Sequence, residues 1–237
     1  METAKLKDAV THTVRGVLCW SCGAPAGDGH FCAACGKIQP LARGADFFQM
    51  FGLPRKLWLE MGALEAKFHE LSWKLHPDNF VRASENEREL SLERSSQLND
   101  AYRVLRDPVT RVEYLLQIEG RRKEGTTKQQ APPELLEEVF ELNESLDELR
   151  AARESGGGAA EMASLRKRLR EAETHFGEKL DEVDSSLMQS AREWDAALDS
   201  GMDSDRRSAL LARLNEILNR RSYIRNLVNS VQKELAV

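Results

Sequence analysis

Nowhere in the 237 residues is there an apolar run of the length, about 18 residues, that a membrane-spanning helix requires. Aromatic residues are only 6% of the chain, and positive charge is in deficit, with 34 Lys and Arg against 39 Asp and Glu for a net charge of −5. Few aromatics beside 31% charged residues favour helices over sheet. The acidic balance makes nucleic acid a poor partner. Met1 to Val14 lacks the apolar core of a secretory signal, and the mixture of Glu2 and Asp8 with Lys5, Lys7 and Arg15 is a weak match to a mitochondrial presequence. Cysteine is missing everywhere except one window of 17 residues.

In that window stand Cys19-Trp20-Ser21-Cys22 and Cys32-Ala33-Ala34-Cys35. Two Cys-x-x-Cys pairs, each closed by a tight turn, bring four thiolates to the corners of a tetrahedron, a set that suits one structural zinc ion. Gly23 and Gly36 follow the second cysteine of each pair, where a chain folding around a metal often needs positive φ. Two disulfides or a redox-active pair are the alternatives, but no secretory signal points to an oxidising compartment and no βαβ pattern surrounds either pair. Four thiolates leave no open position for water, so the site is not catalytic. His30 lies between the pairs as a bystander.

Further along, His76-Pro77-Asp78 interrupts two helical patterns. Leu64, Phe68, Leu71 and Leu75 recur at helical spacing before it, in a helix expected from about Leu57, and Leu90, Leu98, Ala101, Val104 and Leu105 resume the pattern over Glu85 to Arg106. Proline lacks an amide hydrogen and pushes its predecessor out of the α region, so the first helix ends near His76 and the triplet forms a presented loop. A short helix from Asp46 precedes them, with Phe47, Phe48 and Phe51 as core bulk, and Asp107-Pro108 opens another through Tyr114, Leu115 and Leu116. No nucleophile, phosphate loop or paired acid is recognisable near His76. Taken together, residues 46–120 resemble a J domain, the module by which co-chaperones stimulate the ATPase of Hsp70. The resemblance implies an Hsp70-binding surface of His76, Pro77 and Asp78 with Lys67 and Lys74 on a basic helix face. Leu75 stands where many J domains carry tyrosine, and Asn79 where lysine is common.

Residues 121–133 read as a polar linker. Three helical stretches follow, broken at Gly156-Gly157-Gly158 and Ser200-Gly201. The middle one keeps a three-four rhythm from Met162 to Leu198, and the last repeats it with Leu210, Leu214, Ile217, Ile224, Val228 and Val231. They predict an elongated antiparallel three-helix bundle. On the first stretch, Leu135, Val139, Leu142, Leu146 and Leu149 already form a complete seam, while Leu136 and Phe140 make a second stripe turned about 100° away. Glu137, Glu141 and Glu144 surround that second stripe, and Glu134 to Arg150 holds seven acids against one arginine. Either a partner with a basic-rimmed groove docks there, or the C-terminal helix covers both stripes.

The order of cysteine knuckle, J-like segment and acidic helical bundle, together with Glu141-Leu142-Asn143-Glu144-Ser145-Leu146-Asp147-Glu148, resembles the HscB family of J-type co-chaperones of iron–sulfur cluster assembly, in the eukaryotic form with an N-terminal tetracysteine zinc knuckle. The resemblance implies an all-α fold. It divides the chain into a 1–18 extension, a 19–40 zinc-binding domain on Cys19, Cys22, Cys32 and Cys35, a 46–120 J domain, a 121–133 linker and a 134–237 scaffold-binding bundle. It also implies a non-enzymatic adaptor with two partners, an Hsp70-type chaperone and an IscU-type scaffold protein, plus weak self-association and a place in the mitochondrial matrix, with the cytosol as alternative. The scaffold would contact Leu136, Phe140, Glu137, Glu141, Glu144 and Tyr223, although the family frequently has an apolar residue where Glu137 stands. Two other functions compete: a general J protein delivering unfolded clients, which would commonly carry a glycine-phenylalanine linker or repeated cysteine motifs, and a zinc-ribbon protein of nucleic-acid metabolism, which would need a basic surface.

Overall fold

A computed structural model describes residues 18–27, 29–42, 44–122 and 132–236. The predicted extension before Leu18 and most of the linker therefore lie outside the described residues. Seven α-helices are present among those described: α1 (Phe47–Met50), α2 (Met61–Leu75), α3 (Glu85–Arg106), α4 (Pro108–Ile118), α5 (Leu136–Glu154), α6 (Ala159–Asp199) and α7 (Ser204–Ala236). The only strand-like pairings there are two isolated bridges, Leu18 with Pro25 and Phe31 with Ile38. None of these helices is long and apolar enough to cross a membrane.

Two compact units result. The first comprises described residues of Met1–Pro54 and Glu60–Arg103. In it Asp46 starts α1 through a reciprocal cap, receiving the Gln49 amide at 2.9 Å while its own amide reaches Gln49 Oε1 at 3.0 Å. Phe48, Met50 and Phe51 are buried; Phe47 is only half-buried, and Met50 takes the core position expected for it. α2 begins at Met61 rather than Leu57, because the Glu60 carboxylate accepts the amides of Gly62 and Ala63 and sets the first turn there. Leu64, Leu71, Leu75, Leu90, Leu98 and Ala101 are buried, and Phe68, half-buried, stacks on Tyr102 at 4.2 Å between ring centres.

The second unit comprises Arg55–Leu59 and Val104–Val237. Leu57, read as the start of α2, is instead buried with Val112, Leu115 and Leu116 of α4, Leu187 and Trp194 of α6, and Leu211, Leu214 and Leu218 of α7. Segment 55–59 is held by polar contacts: Asp195 accepts the amides of Leu57 and Trp58, both at 2.7 Å, and Trp194 Nε1 donates to the Arg55 carbonyl. Directions within the bundle can be read from its ion pairs. Arg168–Glu148 and His175–Glu138 run α5 antiparallel to α6, while Arg213–Glu193 and Arg221–Asp184 do the same for α6 and α7. The breaks fall as predicted, between Glu154 and Ala159 and around Ser200-Gly201. With 41 residues, α6 extends about 60 Å at 1.5 Å per residue.

The seam of α7 differs from the predicted one. Leu211, Leu214, Leu218, Ile224 and Val231 are buried, whereas Leu210, Ile217 and Val228 flank it at half-buried positions. Leu210-Leu211 and Ile217-Leu218 are adjacent apolar pairs, and sequence spacing alone does not choose between members of such a pair.

Candidate functional site

Three places carry the residues singled out from sequence. At the first, each Cys-x-x-Cys pair is wrapped by the backbone in the same way. The amide of Cys19 donates to Ala24 O and that of Gly23 to Cys19 O, and Cys32 and Gly36 repeat the pattern with Lys37 O and Cys32 O. Gly23 and Gly36 both have φ of 71°, which closes each turn without a Cβ clash. The four sulfurs lie within 4.8 Å of one another, with Cys19 to Cys35 at 3.6 Å and Cys22 to Cys32 at 3.8 Å. A tetrahedral ion with bonds of about 2.3 Å to sulfur needs edges of about 3.8 Å, so the donor set fits a single thiophilic metal. These separations are too long for a disulfide, and all four cysteines are free. Against the desolvation of its buried site, the amides of Cys22 and Ser21 pull the Cys19 thiol down to about 6. Gln39, missed from sequence, donates its side-chain amide to Cys19 Sγ at 3.3 Å.

The knuckle is tied to its own unit by two polar links. Lys37 pairs with Glu87 at 2.7 Å, and Glu87 also accepts the hydroxyl and amide of Ser84 before α3. His30 is not among the sulfurs. Its Nε2 meets the Met50 carbonyl at 3.0 Å and its Nδ1 meets Arg94 Nη2 at 2.5 Å. Burial and then the charge of Arg94 pull the imidazole down to about 4, so the neutral ring donates from Nε2 and accepts at Nδ1.

The second place is the loop after α2. His76 leaves the α region, with ψ of 132°, and Pro77 opens a 3₁₀ turn through Phe80. The carbonyls that α2 would leave without partners are taken up: Asn79 Nδ2 donates to Trp73 O at 2.6 Å, and Ser91 and Ser95 donate to Leu75 O at 2.7 and 2.9 Å. The Asp78 amide donates to His76 Nδ1 at 3.2 Å. Both side chains point outward, His76 54% and Asp78 86% exposed. Leu75 is fully buried, so the position before the triplet is core here and offers no side chain to a partner. Lys67 and Lys74 do share a face, but both sit on one carboxylate that sequence reading passed over. Glu70 accepts from Lys67 at 3.2 Å and from Lys74 at 2.6 Å, and these bonds hold its carboxyl below the usual range.

The third place is on α5. Leu135, Val139, Leu142, Leu146 and Leu149 are all buried as the inner seam. Leu136 and Phe140 are 55% and 71% exposed, so α7 does not cover the second stripe. Glu137, Glu141 and Glu144 are exposed around it. Glu138 is different: it pairs with His175 and Lys179 at 2.9 and 3.0 Å and fastens α5 to α6. Tyr223 is half-buried against the bundle core, and Arg220, one turn earlier, pairs with Glu134 at 3.4 Å. That pair brings the Tyr223 turn of α7 alongside the start of α5.

Chemically, the arrangement offers a closed thiolate cage, an exposed and braced polar loop, and an apolar patch ringed by carboxylates. No protein-family model matches the chain. It is 35% identical over 144 residues to the co-chaperone protein HscB homolog of Aliivibrio salmonicida, a match covering 61% of this chain and 83% of that one. With the HscB homolog of an Azoarcus species it shares 37% identity over 134 residues, 56% of this chain and 73% of the relative. Among solved structures, the crystal structure of human co-chaperone protein HscB is similar in fold, with a TM-score of 0.65 over 92% of this chain and 98% of that one, at 24% identity. By its relatives and its fold, the chain belongs to the HscB family of co-chaperones.

Proposed function

We propose that the chain is a J-type co-chaperone of iron–sulfur cluster assembly, an adaptor that stimulates the ATPase of an Hsp70-type chaperone while holding an IscU-type scaffold, and so promotes cluster transfer. The observation that carries this reading is the exposed His76–Pro77–Asp78 loop, braced from behind by Asn79, Ser91 and Ser95, in a chain of the HscB family. The loop contributes recognition, and the ATP chemistry belongs to the partner. The exposed pair Leu136 and Phe140 inside its ring of acids supports the second half: apolar anchors at the centre and charge at the rim suit a basic-edged scaffold surface. In the knuckle, one zinc ion on Cys19, Cys22, Cys32 and Cys35 serves as a structural clamp.

His76→Gln tests the first half. The side chain is half-exposed and fills no core, so the variant should melt like wild type and lose most of its stimulation of Hsp70 ATP hydrolysis. Stimulation equal to wild type, with an unchanged circular dichroism spectrum, would reduce the loop to an ordinary helix corner. The scaffold half is checked by titrating an IscU-type protein against the double substitution Leu136→Ala, Phe140→Ala, which should weaken binding while His76→Gln leaves it alone.

A further inference from the structure

Among the described large apolar side chains, Trp73 is the most exposed, at 78%. It stands in the last turn of α2, beside Lys74 and three residues before His76, where a helix of this unit buries Leu71 and Leu75 instead. Its indole ring lies largely in solvent, while its backbone is fixed: the Trp73 carbonyl accepts Asn79 Nδ2 at 2.6 Å. The ring is therefore presented from a braced turn, tethered to the loop itself. Around it the basic face is weaker than two lysines imply, because Glu70 binds both and leaves the trio with one net positive charge. A partner docking on the loop meets a modest charge and one large, rigid, amphipathic ring.

We infer that Trp73 is the apolar anchor of the Hsp70 contact, its indole seated in an apolar depression beside the surface that receives His76 and Asp78, with Lys67 and Lys74 at the rim. This rests on the loop reading given above. Three features select this occupant over any other: the ring is continuous with the loop, its backbone is bonded to the loop's Asn79, and the surrounding charge is positive, the sign that suits an acidic rim. Tryptophan supplies more contact area per frozen torsion than almost any residue and is over-represented among the few side chains that dominate binding energy. The loop and the anchor then have separate roles. The loop triggers hydrolysis, and the ring sets how much co-chaperone is needed.

That division gives the test its readouts. The Hsp70-type chaperone whose ATPase the wild-type chain stimulates is titrated with wild type, Trp73→Ala, Trp73→Phe and His76→Gln, all first matched by thermal melting. Trp73→Ala should raise the half-maximal concentration about 30-fold, the size of a hot-spot truncation, and still approach wild-type stimulation at saturation. Trp73→Phe should fall between. His76→Gln should lower the plateau instead. Independently, adding Hsp70 should blue-shift tryptophan emission in wild type and leave that shift absent in Trp73→Phe. A half-maximal concentration for Trp73→Ala within twofold of wild type, with His76→Gln inactive, overturns the anchor and leaves the loop reading intact. If His76→Gln stimulates like wild type, the loop reading falls and the anchor that rests on it falls with it. A wild-type chain that stimulates no Hsp70 overturns both.

Discussion

The two units hold themselves together by different means. The second has long helices and continuous apolar seams, with Phe176, Leu187, Trp194, Leu214 and Leu218 all within 2% of full burial, and its ion pairs sit mostly at the edges. The first joins the α2 and α3 helices to a small knuckle that has no helix among its described residues. Its knuckle buries Cys19, Ala26 and Cys32 as a small cluster, with Ile38 and Gln39 buried as well, and reaches its neighbours through Lys37–Glu87 and through His30, poised between Arg94 and the Met50 carbonyl. Apolar area tolerates the loss of any one polar contact, whereas a small fold built from thiolates and buried polar groups fails when one of its few ties goes.

The sharpest way to break this contrast is to remove the metal ligands. Replacing Cys19 and Cys22 with serine should unfold residues 19–36 outright, because the proposed ion is the main tie of a knuckle with few buried side chains. Elemental analysis of protein purified without chelator should find about one zinc per wild-type chain and none in the variant. Iron in a cluster, or no metal in wild type, would contradict it. Hydrogen exchange across α6 should stay unchanged.

Next in size is a truncation in the bundle. Phe176→Ala should cost about 3–5 kcal/mol of folding free energy, as a buried aromatic normally does. The double substitution of Leu136 and Phe140 removes more atoms yet should cost less than about 1 kcal/mol, since both are already mostly exposed. Chemical denaturation of the two proteins side by side decides it. A comparable loss in the double variant would mean that the second stripe is structural after all.

The smallest effect is one of pH. The His30 imidazole is held down to about 4 from an ordinary 6.5, so the fold favours its neutral form. Stability from this source is complete above pH 6.5 and is lost as pH falls toward 4. Nuclear magnetic resonance titration of the ring should give a midpoint near 4, and a midpoint near 6.5 would show that burial and the Arg94 charge do not act on it.

Much of this organisation was legible in the chain, for identifiable reasons. The cysteine turns announce themselves because glycine follows each pair, and α3 is read to the residue because Glu85 and Asp107-Pro108 bracket it. The α5 stripes separate because a complete seam leaves Leu136 and Phe140 with no inner role. What sequence spacing could not supply was the pairing of distant groups. Leu57 looks like the start of a helix until Asp195, far along the chain, takes its amide. Lys67 and Lys74 look like a free basic face until Glu70, one turn from each, closes on both; its i, i+3 and i, i+4 spacing was the available signal. Trp73 was passed over because a single aromatic off the periodic face carries no pattern.

The bracing of the loop has a consequence for recognition. A flexible tripeptide must surrender backbone freedom on every encounter, and that ordering subtracts directly from affinity. Here Asn79, Ser91 and Ser95 fix the carbonyls at the end of α2, and the Asp78 amide rests on His76. The ordering is completed during folding. Under the proposed function the loop meets its partner already shaped, which favours rapid, repeatable association without demanding that the complex be long-lived.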